Sequence, residues 1–118
     1  MGFLPIINRN AVLISYKKPF INWVIQTDSE HKLDVRAHMK EEEYSVYLLP
    51  EFGDEREMWN ILEEWYIDIF LNELESWCLD ESLWPKVRTF DVFKEWFEVK
   101  VYTMIYDLVN GNIIKDVL

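Results

Sequence analysis

Residues 54–77 read DEREMWNILEEWYIDIFLNELESW and predict one long helix over about 55–77. Asp54 and Glu57 have the layout of a capping box, in which two side chains accept from backbone N–H groups at the start of a helix. At 100° per residue, the apolar and acidic side chains fall on opposite sides of this helix. The apolar side contains Trp59, Leu62, Tyr66, Phe70 and Trp77, and the acidic side contains Glu57, Glu64, Asp68 and Glu75.

Shorter elements are predicted before this helix. Residues 11–16 and 44–49 are short apolar runs typical of buried strands. A helix is expected to start at Lys18-Pro19, because the fixed φ of proline suits the first helical position. Residues 31–43 fit neither period clearly and are interpreted as mostly irregular. A strand, a helix and a second strand therefore precede the long helix.

Further elements are predicted after the long helix. Residues 80–85 read as a loop that docks Trp84, and Thr89 can cap a short helix with Phe90, Phe93 and Phe97 on one face. Residues 98–109 alternate in the manner of a third strand. Asn110-Gly111 predicts either a tight hairpin turn into a terminal strand or a frayed terminus.

These elements predict an α+β fold with the order β-α-β-α-α-β. We expect a small three- or four-stranded sheet with helices packed on it, and strands joined through helices favour parallel neighbours. Residues 1–118 are interpreted as a single domain, because the chain contains no flexible linker and no repeat. Residues 1–8 are expected to form a loosely ordered N-terminal arm, and residues 110–118 a C-terminal tail.

The charge balance disfavours nucleic acid as a partner. The 118 residues include 12 Lys and Arg against 22 Asp and Glu, which gives a net charge of −10 at pH 7. Affinity for nucleic acid comes largely from basic side chains at phosphates, so direct binding is not expected. Anionic membrane surfaces are disfavoured for the same reason, and no stretch has the length and hydrophobicity of a membrane span.

The composition also indicates a compartment. The single Cys78 cannot form an intramolecular disulfide and is interpreted as a buried, inert thiol. Residues 1–10 lack the basic start and the apolar core of a signal peptide. We therefore expect a soluble protein in a reducing cytoplasm.

Motifs for common catalytic chemistry are missing. Only three glycines are present, and the sequence contains no phosphate-binding loop, nucleophile elbow or paired zinc ligands. His31 and His38 could bind a metal or act as a base together with Asp28, Glu30, Asp34 or Glu41. Glu41–Glu43 and Asp80-Glu81 could bind Ca²⁺ or Mg²⁺. Both groups are interpreted as solvated side chains. We expect no catalytic residue, no metal and no cofactor, and a small metal-dependent enzyme is the third hypothesis.

The aromatic content favours a binding protein. Seven Phe, six Tyr and six Trp are more than a domain of this size is expected to bury completely. Exposed Trp and Tyr are typical interface anchors, so the first hypothesis is a non-enzymatic protein-binding module, with a protein partner or a second copy. The acidic side of the long helix is either a solvated face or a docking surface for a basic partner. The second hypothesis is accordingly an acidic inhibitor, an immunity-type protein or a nucleic-acid mimic.

Five short segments also carry a resemblance: Asn10–Val12, Pro19–Trp23, Val46–Glu51, Asp80–Pro85 and Phe93–Phe97. Together they are similar to small acidic bacterial proteins of unassigned function, over about residues 8–109. The resemblance implies a bacterial cytoplasmic protein. Its motifs concern packing and turns, so it transfers no functional residue.

Overall fold

The computed structural model describes residues 3–27 and 44–116. Their fold is α+β in the expected order, with three helices and a three-stranded sheet. A short 3₁₀ turn, Glu81–Leu83, follows the long helix. The main elements are β1 (Arg9–Tyr16), α1 (Lys18–Thr27), β2 (Val46–Pro50), α2 (Glu55–Trp77), α3 (Phe90–Trp96) and β3 (Phe97–Tyr102).

Helix α2 begins and ends where the sequence indicates. Asp54 Oδ1 accepts from the Glu57 backbone N–H at 2.9 Å, and Glu57 Oε2 accepts from the Gly53 N–H at 2.7 Å. The predicted capping box is therefore confirmed, although the second bond reaches one residue further back than expected. The predicted apolar side is also confirmed, because all its members lie in the core or pack against it.

The strand order is β2-β1-β3, and both pairs are antiparallel. The expectation of parallel neighbours is therefore wrong. β2 and β3 do run in the same direction, but β1 lies between them. The connection from β1 to β2 covers residues 17–45, which is long enough for either strand direction. A helix between two strands therefore does not by itself determine the direction in which they pair.

β2 is an edge strand, and it is less buried than its apolar sequence predicts. Leu49 faces the helices and is buried, whereas Val46 and Leu48 lie on the outer side of the sheet, with Val46 56% exposed. The prediction of a fully buried second strand is therefore wrong for the outer side of β2. Alternate residues of a strand point to opposite faces, and helices cover only the inner face of this edge.

The third strand is shorter than predicted. β3 ends at Tyr102, and pairing with the N-terminal part of the chain resumes at a bridge between Ile6 and Tyr106. Between Ala11↔Tyr102 and this bridge the register changes by one residue, which is the signature of a β-bulge. Residues 110–116 are exposed and form no strand, so the hairpin after Asn110-Gly111 is not formed.

Aromatic side chains dominate the core between the sheet and the helices. The largest fully buried side chains include Phe20, Phe70, Phe93 and Phe97. Trp84 docks as expected, since its Nε1–H donates to the Cys78 carbonyl at 2.8 Å. Thr89 Oγ1 accepts from the Val92 N–H, which confirms the predicted cap of α3.

Candidate functional site

The predicted acidic residues lie together on the solvent side of α2. Glu57, Glu64, Asp68 and Glu75 are all exposed, and here they are called the acidic face. They span 19 residues, or about 27 Å over 18 steps of about 1.5 Å. No Lys, Arg or His stands three or four residues before or after any of these acids in the sequence. No neighbouring turn of the helix therefore supplies a compensating cation.

Trp65 lies beside the acidic face and is 51% exposed. It precedes Asp68 by three residues, so these two side chains are neighbours on the helix surface, whereas Glu64, the preceding residue, lies about 100° away around the helix. Trp65 is not among the candidates predicted from the sequence. Its position outside the apolar side of the helix is the signal that could have identified it.

The net charge of the chain is concentrated around α2. Residues 51–81 contain eleven acidic residues and one basic residue, Arg56, whereas the rest of the chain contains eleven of each. The entire excess of negative charge therefore belongs to this segment. A charge concentrated in one region produces a stronger local potential than the same charge spread evenly over the surface.

A second polar cluster is buried where α2 meets the sheet. Glu73 is 0% exposed, and its carboxyl group accepts hydrogen bonds from two tyrosine hydroxyls. Tyr16 of β1 donates to Oε1 at 2.7 Å, and Tyr47 of β2 donates to Oε2. The indole N–H of Trp77 donates to the Tyr16 hydroxyl, and the Asn72 amide donates to that of Tyr47. Glu73 therefore ties the long helix to two strands of the sheet.

The same surroundings change the acidity of both tyrosines. Burial, followed by the charge of Glu73, raises the pKa of the Tyr16 hydroxyl above its usual value. Burial, followed by the hydrogen bond to Glu73, raises the pKa of Tyr47 in the same direction. Both hydroxyls therefore remain protonated donors through the physiological range.

Raising the pH above about 10 is expected to destabilise the fold. An unfolded tyrosine loses its proton near pH 10, whereas Tyr16 and Tyr47 keep theirs in the folded state. The stability that these two protonated hydroxyls give to the folded state is complete below about pH 10. It is lost as the pH rises from about 10 towards the raised pKa values. We expect the free energy of unfolding to fall by about 1 kcal/mol per pH unit for each tyrosine. This slope is below the limiting value of about 1.4 kcal/mol per pH unit, because solvent screens their partly exposed rings. Denaturant unfolding from about pH 8 to pH 11 measures this slope.

Single phenylalanine variants provide the control for this prediction. Tyr47→Phe should remove about half of the alkaline slope, whereas Tyr102→Phe, which alters an exposed ring on β3, should leave it unchanged. An equal slope in the wild type and in Tyr47→Phe would contradict the assignment.

The remaining predicted candidates fall into three groups. The first lies outside the described residues and consists of His31, His38, Asp28, Glu30, Asp34 and Glu41–Glu43. The second is Asp80-Glu81, where both side chains are exposed and Asp80 Oδ1 accepts from the Ser82 N–H at 3.0 Å. Cys78 is only partly buried, so the expectation of a buried thiol is wrong. It caps the C-terminal end of α2 in an extended conformation, and its side chain packs against the core from a partly exposed position.

Residues 3–27 and 44–116 contain no group of three His, Cys, Asp or Glu side chains arranged to hold a metal ion. Within the same ranges, no helix has both the length and the apolar character required to cross a membrane.

Comparison with known proteins finds no matching family model, no matching curated protein and no matching solved structure. The resemblance to small acidic bacterial proteins therefore stays a prediction.

Proposed function

We propose that this protein is a non-enzymatic protein-binding module that acts in the cytoplasm through the acidic face and Trp65. The observation that carries the proposal is a half-exposed tryptophan among carboxylates that no neighbouring helical residue compensates. Tryptophan supplies a large apolar contact and is enriched among residues that dominate binding energy. The acids beside it provide the polar rim that such an anchor requires.

The surface favours a basic partner, and arginine in particular. A guanidinium group can stack on the Trp65 ring while it forms a bidentate pair with Asp68, its neighbour one turn along the helix. The acidic face is about 27 Å long, which matches an 18-residue helix or a basic groove of similar length. The concentrated charge would also steer such a partner during encounter.

An acidic inhibitor or nucleic-acid mimic of a basic cleft is the second candidate. The location of the whole net charge within residues 51–81 favours this second candidate. A mimic must place its carboxylates at the positions where the target binds the phosphates of a nucleic acid. The two candidates differ in the role of Trp65. A mimic depends mainly on charge, whereas a binding module depends on the ring as well.

A defined peptide tests the proposal. An arginine-rich helical peptide of about 18 residues is titrated against the full chain at low and at physiological salt. We expect Trp65→Ser to weaken binding by about 30-fold, the effect of losing an anchor residue worth about 2 kcal/mol. Fluorescence anisotropy of the labelled peptide gives the affinities.

Charge variants separate the acidic face from net charge. Glu64→Gln with Asp68→Asn is expected to weaken binding about tenfold and to reduce its salt dependence. The matched control is Glu95→Gln with Glu98→Gln, which removes two exposed charges outside α2. Equal losses in the two pairs would reject the acidic face as the site. Loss in the α2 pair with full binding by Trp65→Ser would favour the mimic.

A further inference from the structure

We propose that the protein forms a twofold dimer through the ribbon, defined as residues 3–8 and 103–109. In this dimer the ribbon tip of each copy occupies an apolar cleft at the ribbon base of the other. The surface is distinct from the acidic face, so the proposal goes beyond the proposed function.

The ribbon is a paired extension beyond the sheet. The Ile7 N–H donates to the Ile105 carbonyl at 2.8 Å, and the Asp107 N–H donates to the Pro5 carbonyl at 3.0 Å. Extension of the Ile6↔Tyr106 register places Phe3 opposite Val109 at the tip. The tip is therefore about 17 Å from the base, given five residues at about 3.3 Å each.

The ribbon exposes a large apolar area. Six of its apolar side chains are 53 to 92% exposed, and Phe3 has the highest value. At roughly 60 to 120 Å² for each fully exposed side chain, they present roughly 250 to 500 Å² of apolar surface in total. This area is divided between the two faces of the ribbon, with Phe3 and Val109 on one face and Leu4, Ile6 and Leu108 on the other. A standard interface of about 800 Å² per partner contains roughly 450 Å² of apolar area. The six side chains are Phe3, Leu4, Ile6, Met104, Leu108 and Val109.

An apolar cleft lies at the ribbon base. It has a volume of about 340 Å³ and opens between the start of α2 and β3. Phe52, Met58, Trp59 and Val101 supply its apolar lining. A second cleft, of about 390 Å³, adjoins it and is lined by Ile6 and Ile7 of the ribbon; the two share Phe52 and Thr103.

Charge and symmetry select a second copy as the occupant. Residues 3–8 carry no charge and residues 103–109 carry only Asp107, so this is the part of a −10 protein where two copies can approach without strong repulsion. Asp54 and Glu55 also line the cleft, so it suits a neutral apolar tip better than an acidic one. When two ribbons lie antiparallel about a twofold axis, each tip meets the partner's base, which closes the assembly at two copies.

Sedimentation equilibrium of the full chain tests the dimer. We expect a monomer–dimer equilibrium that tightens as salt rises, because salt screens the repulsion between two acidic copies. Binding through the acidic face is expected to weaken over the same range, so the two surfaces have opposite salt dependence. A chain that stays monomeric above about 100 μM at high salt, or that assembles without limit, overturns the proposal.

Substitutions locate the interface. Phe3→Asp and Val101→Asp change the tip and the cleft at exposed side chains, and each is expected to raise the dimer dissociation constant at least tenfold. Leu79→Asp makes the same type of change at an 80% exposed side chain beyond α2 and should have less than a twofold effect. Circular dichroism confirms folding of each variant. Unchanged dimers in both test variants refute this interface, while the arginine peptide titration separately reports on the acidic face.

Discussion

Phe70→Ala is expected to lower the free energy of unfolding by about 3 to 5 kcal/mol, the range observed when a buried phenylalanine is truncated in a packed core. Phe70 is fully buried, and its ring centroid lies 5.1 Å from that of Phe97 and 5.6 Å from that of Trp96. Truncation leaves a cavity that these large rings cannot fill without shifting α3. Denaturant unfolding monitored by far-UV circular dichroism measures the loss.

The matched control lies on the opposite side of the same helix. Glu64→Lys with Asp68→Lys should change the unfolding free energy by only about 0.5 kcal/mol, because both side chains are exposed. If the lysine pair unfolded the protein and Phe70→Ala left it intact, the assignment of the two helix faces would be reversed. The proposed acidic face would then be abandoned.

Glu73→Ala is expected to cost a similar amount, about 3 to 5 kcal/mol, for a different reason. The substitution removes the acceptor of the Tyr16 and Tyr47 hydroxyls, and each buried donor left without a partner costs about 1 to 3 kcal/mol. It also leaves a cavity between α2 and the sheet. Chemical unfolding at pH 7 measures the change.

A triple variant tests whether lost hydrogen bonds or lost volume cause the destabilisation expected for Glu73→Ala. Glu73→Met combined with Tyr16→Phe and Tyr47→Phe removes both donors together with their acceptor and retains most of the volume. Replacing hydrogen-bonded partners together by apolar groups is often nearly neutral. The Trp77 indole N–H and the Asn72 amide lose the tyrosine oxygens that accept from them, so we expect part of the loss to be recovered. A triple variant less stable than Glu73→Ala would contradict this account of the cluster.

Helix α2 could be predicted because its signals are local. The capping pair at Asp54 and Glu57 and the apolar side through Leu62 and Phe70 depend only on neighbouring residues. The same helical periodicity predicted that the residues of the acidic face share one side of α2. Signals of this kind act over one or two helical turns, which is why the predicted and observed bounds of α2 coincide.

The sheet arrangement and the buried carboxyl group could not be predicted in this way. The direction of β2 relative to β1 depends on the path of residues 17–45, which no local pattern specifies. Glu73 is acidic, so a hydrophobicity pattern treats it as exposed, although it lies three residues after Phe70 and four before Trp77 on the apolar side. Its burial depends on tyrosines 57 and 26 residues earlier in the chain.

The central position of β1 also determines when the sheet can form during synthesis. β1 is the first strand to be made, yet its partner β3 begins only at Phe97. At about 5 to 20 residues per second, the ribosome needs roughly 4 to 16 seconds to extend the chain from Tyr16 to Phe97. Throughout this interval one edge of β1 lacks its native partner, and closure then requires a contact between distant residues, which slows folding. Because of this strand order, the final folding step cannot occur until β3 has been synthesised.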